Sequence, residues 1–259
     1  VPSSSAAVTD ADHVLARRLA VEAGALLLRI RDQLTADGAA AATLKDEGDR
    51  QANDLLMAEL RTHAPVGDGV LSEESRATHG DESRLTAHRV WIIDPLDGTR
   101  EFSEPGRTDW AVHVALCVDG VAQCGAVALP ALDACFSTAD EVLDLPPVAD
   151  HPRVVVSRTR PPTEAELVRA ALDGVVVEMG SAGAKTMAIL RGEVDCYPHA
   201  GGQYEWDSAA PVAVARHHGL HTSRLDGSPL VYNRPDPYLP DLLVCRPELA
   251  EASLRSLRS

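Results

Sequence analysis

Four apolar residues, Val90-Trp91-Ile92-Ile93, run straight into Asp94-Pro95-Leu96-Asp97-Gly98-Thr99. An aromatic and β-branched run of that length favours a buried strand over a helix turn. Pro95 has no N–H for a sheet ladder and biases Asp94 towards extended backbone, so the strand is expected to stop there. Gly98 opens backbone angles closed to other residues, and Thr99 suits the start of a helix. The chain is thus expected to pass from a buried strand through an acidic loop into a helix. Two carboxylates at the end of a strand form a hard oxygen set suited to Mg²⁺ together with phosphate oxygens. Free N–H groups at the following helix start draw an anion. On these residues alone Asp94 and Asp97 are also ordinary turn formers beside a proline, and both readings stand.

Two further segments bear on the choice: Leu71-Ser72-Glu73-Glu74-Ser75 upstream and Trp206-Asp207-Ser208-Ala209-Ala210 far downstream. With the hexapeptide, and in the same order over most of the chain, they resemble the inositol monophosphatase superfamily of Mg²⁺-dependent, lithium-sensitive phosphatases. The resemblance implies an α/β (α+β) layered sandwich of αβαβα type.

A chain of 259 residues with 45% hydrophobic content has ample material for a core, but only 3% is aromatic, so that core must be mostly Ala, Val and Leu. The formal charge of -15 argues against a nucleic-acid polymer or an anionic membrane as partner. It leaves room for a small phosphate ester, because bound cations and a helix start supply local positive charge. The five cysteines show no C-x-x-C spacing, so neither a disulfide framework nor a zinc site is expected. No apolar run approaches membrane-spanning length and no secretory signal opens the sequence, which places the expected location in the cytoplasm.

Along the chain, residues 1–8 are expected to be loose. From Asp10, read as a cap, Val14, Leu15, Leu19, Ala23, Leu26, Leu27 and Ile30 follow helical spacing. A second helix carries Ala52, Leu55, Leu56 and Leu60 on one face, with Asp49 as its expected N-cap. Val70-Leu71 reads as a short strand and 76–87 as an exposed polar stretch. Residues 110–118 and 120–129 read as strands joined at Asp119-Gly120, a strong hairpin signal, and 132–137 as a third. The acidic, proline-containing stretch 140–152 is the expected boundary between an N-terminal half, 1–145, and a C-terminal half, 146–259. The second half alternates: strands at 153–156, 175–178, 194–197, 221–225 and 242–245, helices at 163–172, 181–190, 207–217 and at the end. Such alternation favours α and β layers.

Gly180-Ser181-Ala182-Gly183-Ala184-Lys185-Thr186 follows a strand and precedes a helix as a P-loop would, but Ala184 separates glycine from lysine, so a nucleoside-triphosphate site is not expected. Ser181 and Lys185, four apart, share a helix face and can grip a different phosphate; the alternative for Lys185 is an ordinary surface lysine. His217-His218 point to different helix faces and read as structural or exposed.

The resemblance also assigns roles. It implies Glu73, Asp94, the Leu96 carbonyl, Asp97 and Asp207 as ligands of two Mg²⁺ ions, with a third near Glu73, and Asp49 paired with Thr99 to activate water. Backbone N–H groups of Gly98 and Thr99 would hold the phosphate. Arg100-Glu101-Phe102, Val155-Val156-Ser157-Arg158, Gly180-Ser181, Lys185 and Tyr197-Pro198 resemble the CysQ-type branch, which hydrolyses 3′-phosphoadenosine 5′-phosphate. Arg100, Ser157, Ser181 and Lys185 are then the expected substrate contacts. Gly201-Gly202-Gln203-Tyr204 departs from that branch, which keeps inositol phosphates and fructose 1,6-bisphosphate as alternative substrates, and a non-catalytic metal or nucleotide sensor as the contrasting class. Family members often pair, so a homodimer is the expected assembly.

Overall fold

A computed structural model of the chain describes residues 7–74 and 82–258. The expected exposed stretch 76–87 and Ser75 fall partly outside that range, and 82–86 forms a 3₁₀ turn. Two helices open the fold, α1 (Asp10–Ala36) and α2 (Ala41–His63). Five strands follow: β1 (Gly69–Ser72), β2 (Arg89–Asp97), β3 (Ala111–Val118), β4 (Val121–Leu129) and β5 (Ala134–Ser137). They form one sheet in chain order, with β1 parallel to β2 and the rest antiparallel. A one-turn helix, α3 (Thr99–Ser103), hangs from the end of β2.

The second sheet has the order β7-β6-β8-β10-β9. Its strands are β6 (Arg153–Ser157), β7 (Val175–Met179), β8 (Cys196–Tyr204), β9 (His221–Ser223) and β10 (Tyr238–Cys245). Between them in sequence lie α4 (Thr163–Ala171), α5 (Ala182–Leu190) and α6 (Glu205–His217), and α7 (Pro247–Ser256) closes the chain. α1 and α2 cover the outer face of the first sheet, α5 and α6 are packed between the sheets, and α4 and α7 cover the second. This is the expected αβαβα sandwich, and no described helix is long and apolar enough to cross a membrane.

The layers follow from alternation along the strands. In β3, Val112, Val114, Leu116 and Val118 face the α1/α2 core, while Ala111, Ala115 and Cys117 face the central core with α5 and α6. The small residues on the central side let α6 lie close: a Cβ on Gly125 of β4 would stand 3.0 Å from Ala213 Cβ. The first sheet is tied to α1 by Arg89, whose buried guanidinium bonds Asp12 (2.7 Å) and Asp68 (2.9 Å).

Three local expectations change. α1 is capped by Thr9 rather than Asp10. Pro95 does not end β2; the strand runs on to Asp97, and the ladder with β3 slips between Asp94 and Asp97, leaving the proline at an irregularity where no N–H is needed. Asp49 is not an N-cap, because α2 begins at Ala41 and carries Asp49 two turns inside. α2 comes close to the acidic loop through Gly48, where a Cβ would be 3.0 Å from both Leu96 and Phe102. That approach sets Asp49 beside the carboxylates at the end of β2.

Candidate active site

The site is assembled by the ends of four elements. Asp94 and Asp97 come from the irregular end of β2, Glu73 follows β1, Asp49 lies on α2, and Asp207 sits in the first turn of α6. One oxygen each from Asp94, Asp97 and Asp207 falls within 4.8 Å of the others. The end of β1 before Glu73 is tied to α2, since Ser72 Oγ donates to Asn53 Oδ1 at 2.7 Å.

The two oxygens of each aspartate are used differently. Asp94 Oδ1 accepts the Leu96 N–H (3.0 Å), whereas Oδ2 is buried, neighbours the Glu73 carboxyl and accepts a hydrogen bond from no donor among the described residues. Asp97 Oδ2 accepts Ser181 Oγ–H (2.5 Å) and the Gly183 N–H (2.7 Å). Asp207 Oδ2 accepts the Tyr204 N–H (2.6 Å), a capping bond within its own helix start.

Burial and crowding decide the charges. Burial, then the neighbouring charges of Glu73 and Glu74, pushes Asp49 up to about 8. Burial and Asp207 raise Glu73 to about 7, burial and Asp97 raise Asp207 to about 6, and burial with Glu73 takes Asp94 well above the ordinary aspartate range. Asp97 goes the other way. Burial opposes its charge, but His113, Ser181 and Gly183 outweigh it and hold it down at about 2.

A set of hard oxygens, including one buried oxygen without a donor and several carboxylates that resist ionising together, fits a divalent cation. Cations are what would let all of them carry charge at neutral pH.

Beside the carboxylates opens a cavity of about 730 Å³ lined by Asp97, Gly98, Thr99 and Arg100 from the loop and α3, and by Ser157, Arg160, Ser181, Lys185, Tyr204 and Asp207 from the second sheet and its helices. Gly98, at φ 85°, takes a left-handed turn that an L-side chain rarely adopts and starts α3. Because α3 is a single turn, Gly98 and Thr99 matter as individual N–H donors more than through a helix dipole. Thr99 Oγ1 donates to the Leu96 carbonyl at 3.4 Å, and no hydrogen bond joins it to Asp49.

Lys185 is not a surface residue. It is buried, with Nζ donating to the carbonyls of Gly180 (3.0 Å) and Ser181 (2.7 Å) and lying 5.1 Å from the Tyr197 ring centre. Ser181 spends its one hydroxyl hydrogen on Asp97. Arg158 is held by Glu101 (2.6 Å) and Glu104 (2.7 Å), while Arg100 and Arg160 form no ion pair among the described residues.

Sequence reasoning missed His113, Arg160 and Tyr238; Tyr197 and Tyr204, read there only as a likeness to and a departure from the CysQ-type branch, line the cavity with Arg160 and Tyr238. His113 had a signal: it is the one polar side chain in the strand Ala-Val-His-Val-Ala-Leu-Cys-Val.

Buried carboxylates that need neutralising, beside a cavity that carries cationic side chains, suit a site for metal ions and an anionic substrate. The comparisons with known proteins agree. A profile of the inositol monophosphatase family matches residues 10–258. A 3′-phosphoadenosine 5′-phosphate phosphatase of Mycobacterium leprae is 51% identical over 259 residues, covering 95% of this chain and 93% of its own. Its counterpart in Mycobacterium tuberculosis is 52% identical over 244 residues, covering 91% and 89%. Among solved structures, CysQ from Bacteroides thetaiotaomicron, a bacterial member of that family, superposes with a TM-score of 0.72 at 25% identity over 92% of this chain and 97% of its own. The chain belongs to the inositol monophosphatase family and is a phosphatase.

Proposed function

We propose that this phosphatase removes the 3′-phosphate of 3′-phosphoadenosine 5′-phosphate, giving AMP and phosphate, with Mg²⁺ as its cofactor. One observation carries the reading furthest: the cavity holds more than one phosphate needs, and beyond the carboxylates it presents Arg100, Arg160 and Lys185. A nucleotide bisphosphate brings a second dianion for those groups, which a sugar monophosphate lacks. The names of the mycobacterial relatives support the same substrate.

Cations held by Glu73, Asp94, the Leu96 carbonyl, Asp97 and Asp207 would supply neutralisation of the phosphoryl oxygens and a nucleophilic water. Thr99 would orient that water for in-line attack, and Asp49, once bound cations let it ionise, would take up its proton. The N–H groups of Gly98 and Thr99 donate to the phosphoryl oxygens, in the position where charge builds up. Ser157, at the cavity wall, orients the ribose phosphate. Lys185 keeps one of its three hydrogens for the second phosphate, while Ser181 acts through Asp97. A homodimer, a cytoplasmic setting, lithium sensitivity and a place in sulfur assimilation belong to the same reading, as do two functional halves divided near residue 145.

Phosphate release from 3′-phosphoadenosine 5′-phosphate, inositol 1-phosphate and fructose 1,6-bisphosphate, measured side by side with Mg²⁺, tests the proposal. We expect kcat/KM for the adenosine bisphosphate to exceed that for inositol 1-phosphate by about 10²-fold or more, the order that a buried charge pair contributes to discrimination, and to exceed that for fructose 1,6-bisphosphate as well. Lys185→Ala should lower the adenosine bisphosphate rate more than the inositol phosphate rate. Equal rates on all three, or preference for a sugar phosphate, would overturn the substrate assignment while keeping the phosphatase.

A further inference from the structure

We propose that His113 is a positioning residue that fixes Asp97 against the start of α6, setting the separation of Asp97 and Asp207. This rests on the reading that those two carboxylates face a cation. The imidazole is fully buried on the central face of β3, between the acidic loop and the first turn of α6. Its Nδ1 lies 3.0 Å from the carbonyl oxygen of Trp206, the residue before Asp207. Its Nε2 lies 3.2 Å from Asp97 Oδ2, at ion-pair distance though without the alignment of a good hydrogen bond. One ring thus spans two elements that present carboxylates to the same point.

The surroundings are shaped for that ring. A Cβ on Gly183 would stand 2.1 Å from His113 Nε2, so the first turn of α5 leaves a slot that an alanine would close. The neighbours of His113 on this face of β3 are Ala111 and Ala115, and a small apolar residue between them would suit the core without desolvating an imidazole. Among the described residues, Asp97 accepts its hydrogen bonds from Ser181 and Gly183 on Oδ2, the oxygen that His113 also approaches. Holding Oδ2 from three sides fixes the carboxylate, and Oδ1 takes no hydrogen bond among the described residues. Groups behind a ligand commonly fix its orientation, and their loss costs about 10–100-fold in metal affinity.

The test is Mn²⁺ binding by calorimetry, without substrate, on the full chain and on His113→Ala, His113→Asn and His113→Gln. An asparagine amide reaches as far as Nδ1 and bonds only the Trp206 carbonyl; a glutamine amide reaches as far as Nε2 and restores a donor to Asp97. We expect the Ala and Asn variants to bind Mn²⁺ about 10–100-fold more weakly, and the Gln variant, which regains a donor to Asp97 but loses the link to Trp206, to recover part of that loss. At saturating Mn²⁺, KM for substrate should not move, because His113 touches no substrate. Should the Ala variant fail to fold, the Asn and Gln pair decides. A Gln variant as weak as Asn, or all variants equal to the parent, overturns the positioning role. A parent protein that binds no Mn²⁺ overturns the cation reading itself, and the positioning role with it.

Discussion

Asp94→Asn and Asp97→Asn should each lower turnover by about 10³-fold or more, the several kcal/mol of charge stabilisation that a bound cation gives a phosphoryl transition state. Their effects on the stability of the metal-free protein should differ, Asp97→Asn lowering Tm and Asp94→Asn not. Asp94 is crowded by burial and by Glu73, Asp97 and Asp207, which disfavour its charge, so a neutral amide relieves the site and Tm rises or holds. Within this cluster Asp97 is the carboxylate held ionised: Ser181, Gly183 and His113 all converge on Oδ2. Neutralising it weakens charge-assisted bonds worth about 1.5–3 kcal/mol each before relaxation, so Tm falls. Paired activity and melting measurements check both halves. Either variant keeping the parental rate would sink the ligand assignment, and a shared sign of the Tm change would sink the account of the charges.

The second large effect is a stability that depends on pH only while cations are kept away. Asp49, Glu73 and Asp207 are held at about 8, 7 and 6, above the ordinary carboxylate values of an unfolded chain. Between about pH 4 and those values the folded state therefore binds more protons than the unfolded state, and stability declines as pH rises. Their contribution is complete below about pH 4 and is lost by about pH 8. Asp97, held at about 2, runs oppositely, but its contribution disappears only as pH falls below the ordinary aspartate value, outside this window. Melting in chelator should thus show Tm several degrees lower at pH 8 than at pH 5, and Mg²⁺ should restore most of the difference by neutralising the ionised cluster. A metal-free Tm that is flat or rises from pH 5 to pH 8 would contradict the crowding.

Much of this could be read from the chain because the informative signals are local. Val90-Trp91-Ile92-Ile93 is a strand by composition, Gly98-Thr99 a turn into a helix, and Asp119-Gly120 a hairpin whose two residues take φ 47° and 80°. Asp207 was legible as a helix-start carboxylate and is one, in the first turn of α6. The misplaced features are those where tertiary packing overrode a local rule. Asp49 was expected as an N-cap, but α2 runs through Gly48, a residue that costs a helix about 1 kcal/mol relative to alanine, and at Gly48 the helix comes close to Leu96 and Phe102. The strands expected at 194–197 and 242–245 are longer in the structure, because β8 and β10 run through Pro198, Gly201, Gly202 and Pro240, with a register shift between Leu239 and Asp241. His113 looks like any satisfied core histidine until Trp206, 93 positions away, is brought to its Nδ1. Ser181 and Lys185 were found as a pair, but sequence alone could not show that Asp97 takes the hydroxyl and two carbonyls take the ammonium.

The claim on which the rest depends is that the carboxylates gathered from β1, β2 and α6 hold cations. Anomalous diffraction from a crystal of the full chain soaked in Mn²⁺ tests it most directly. The account predicts a peak in contact with Asp94, Asp97 and Asp207, absent in Asp97→Asn crystals soaked alike. Peaks only elsewhere on the chain, or the same peak undiminished without the Asp97 carboxylate, would contradict it.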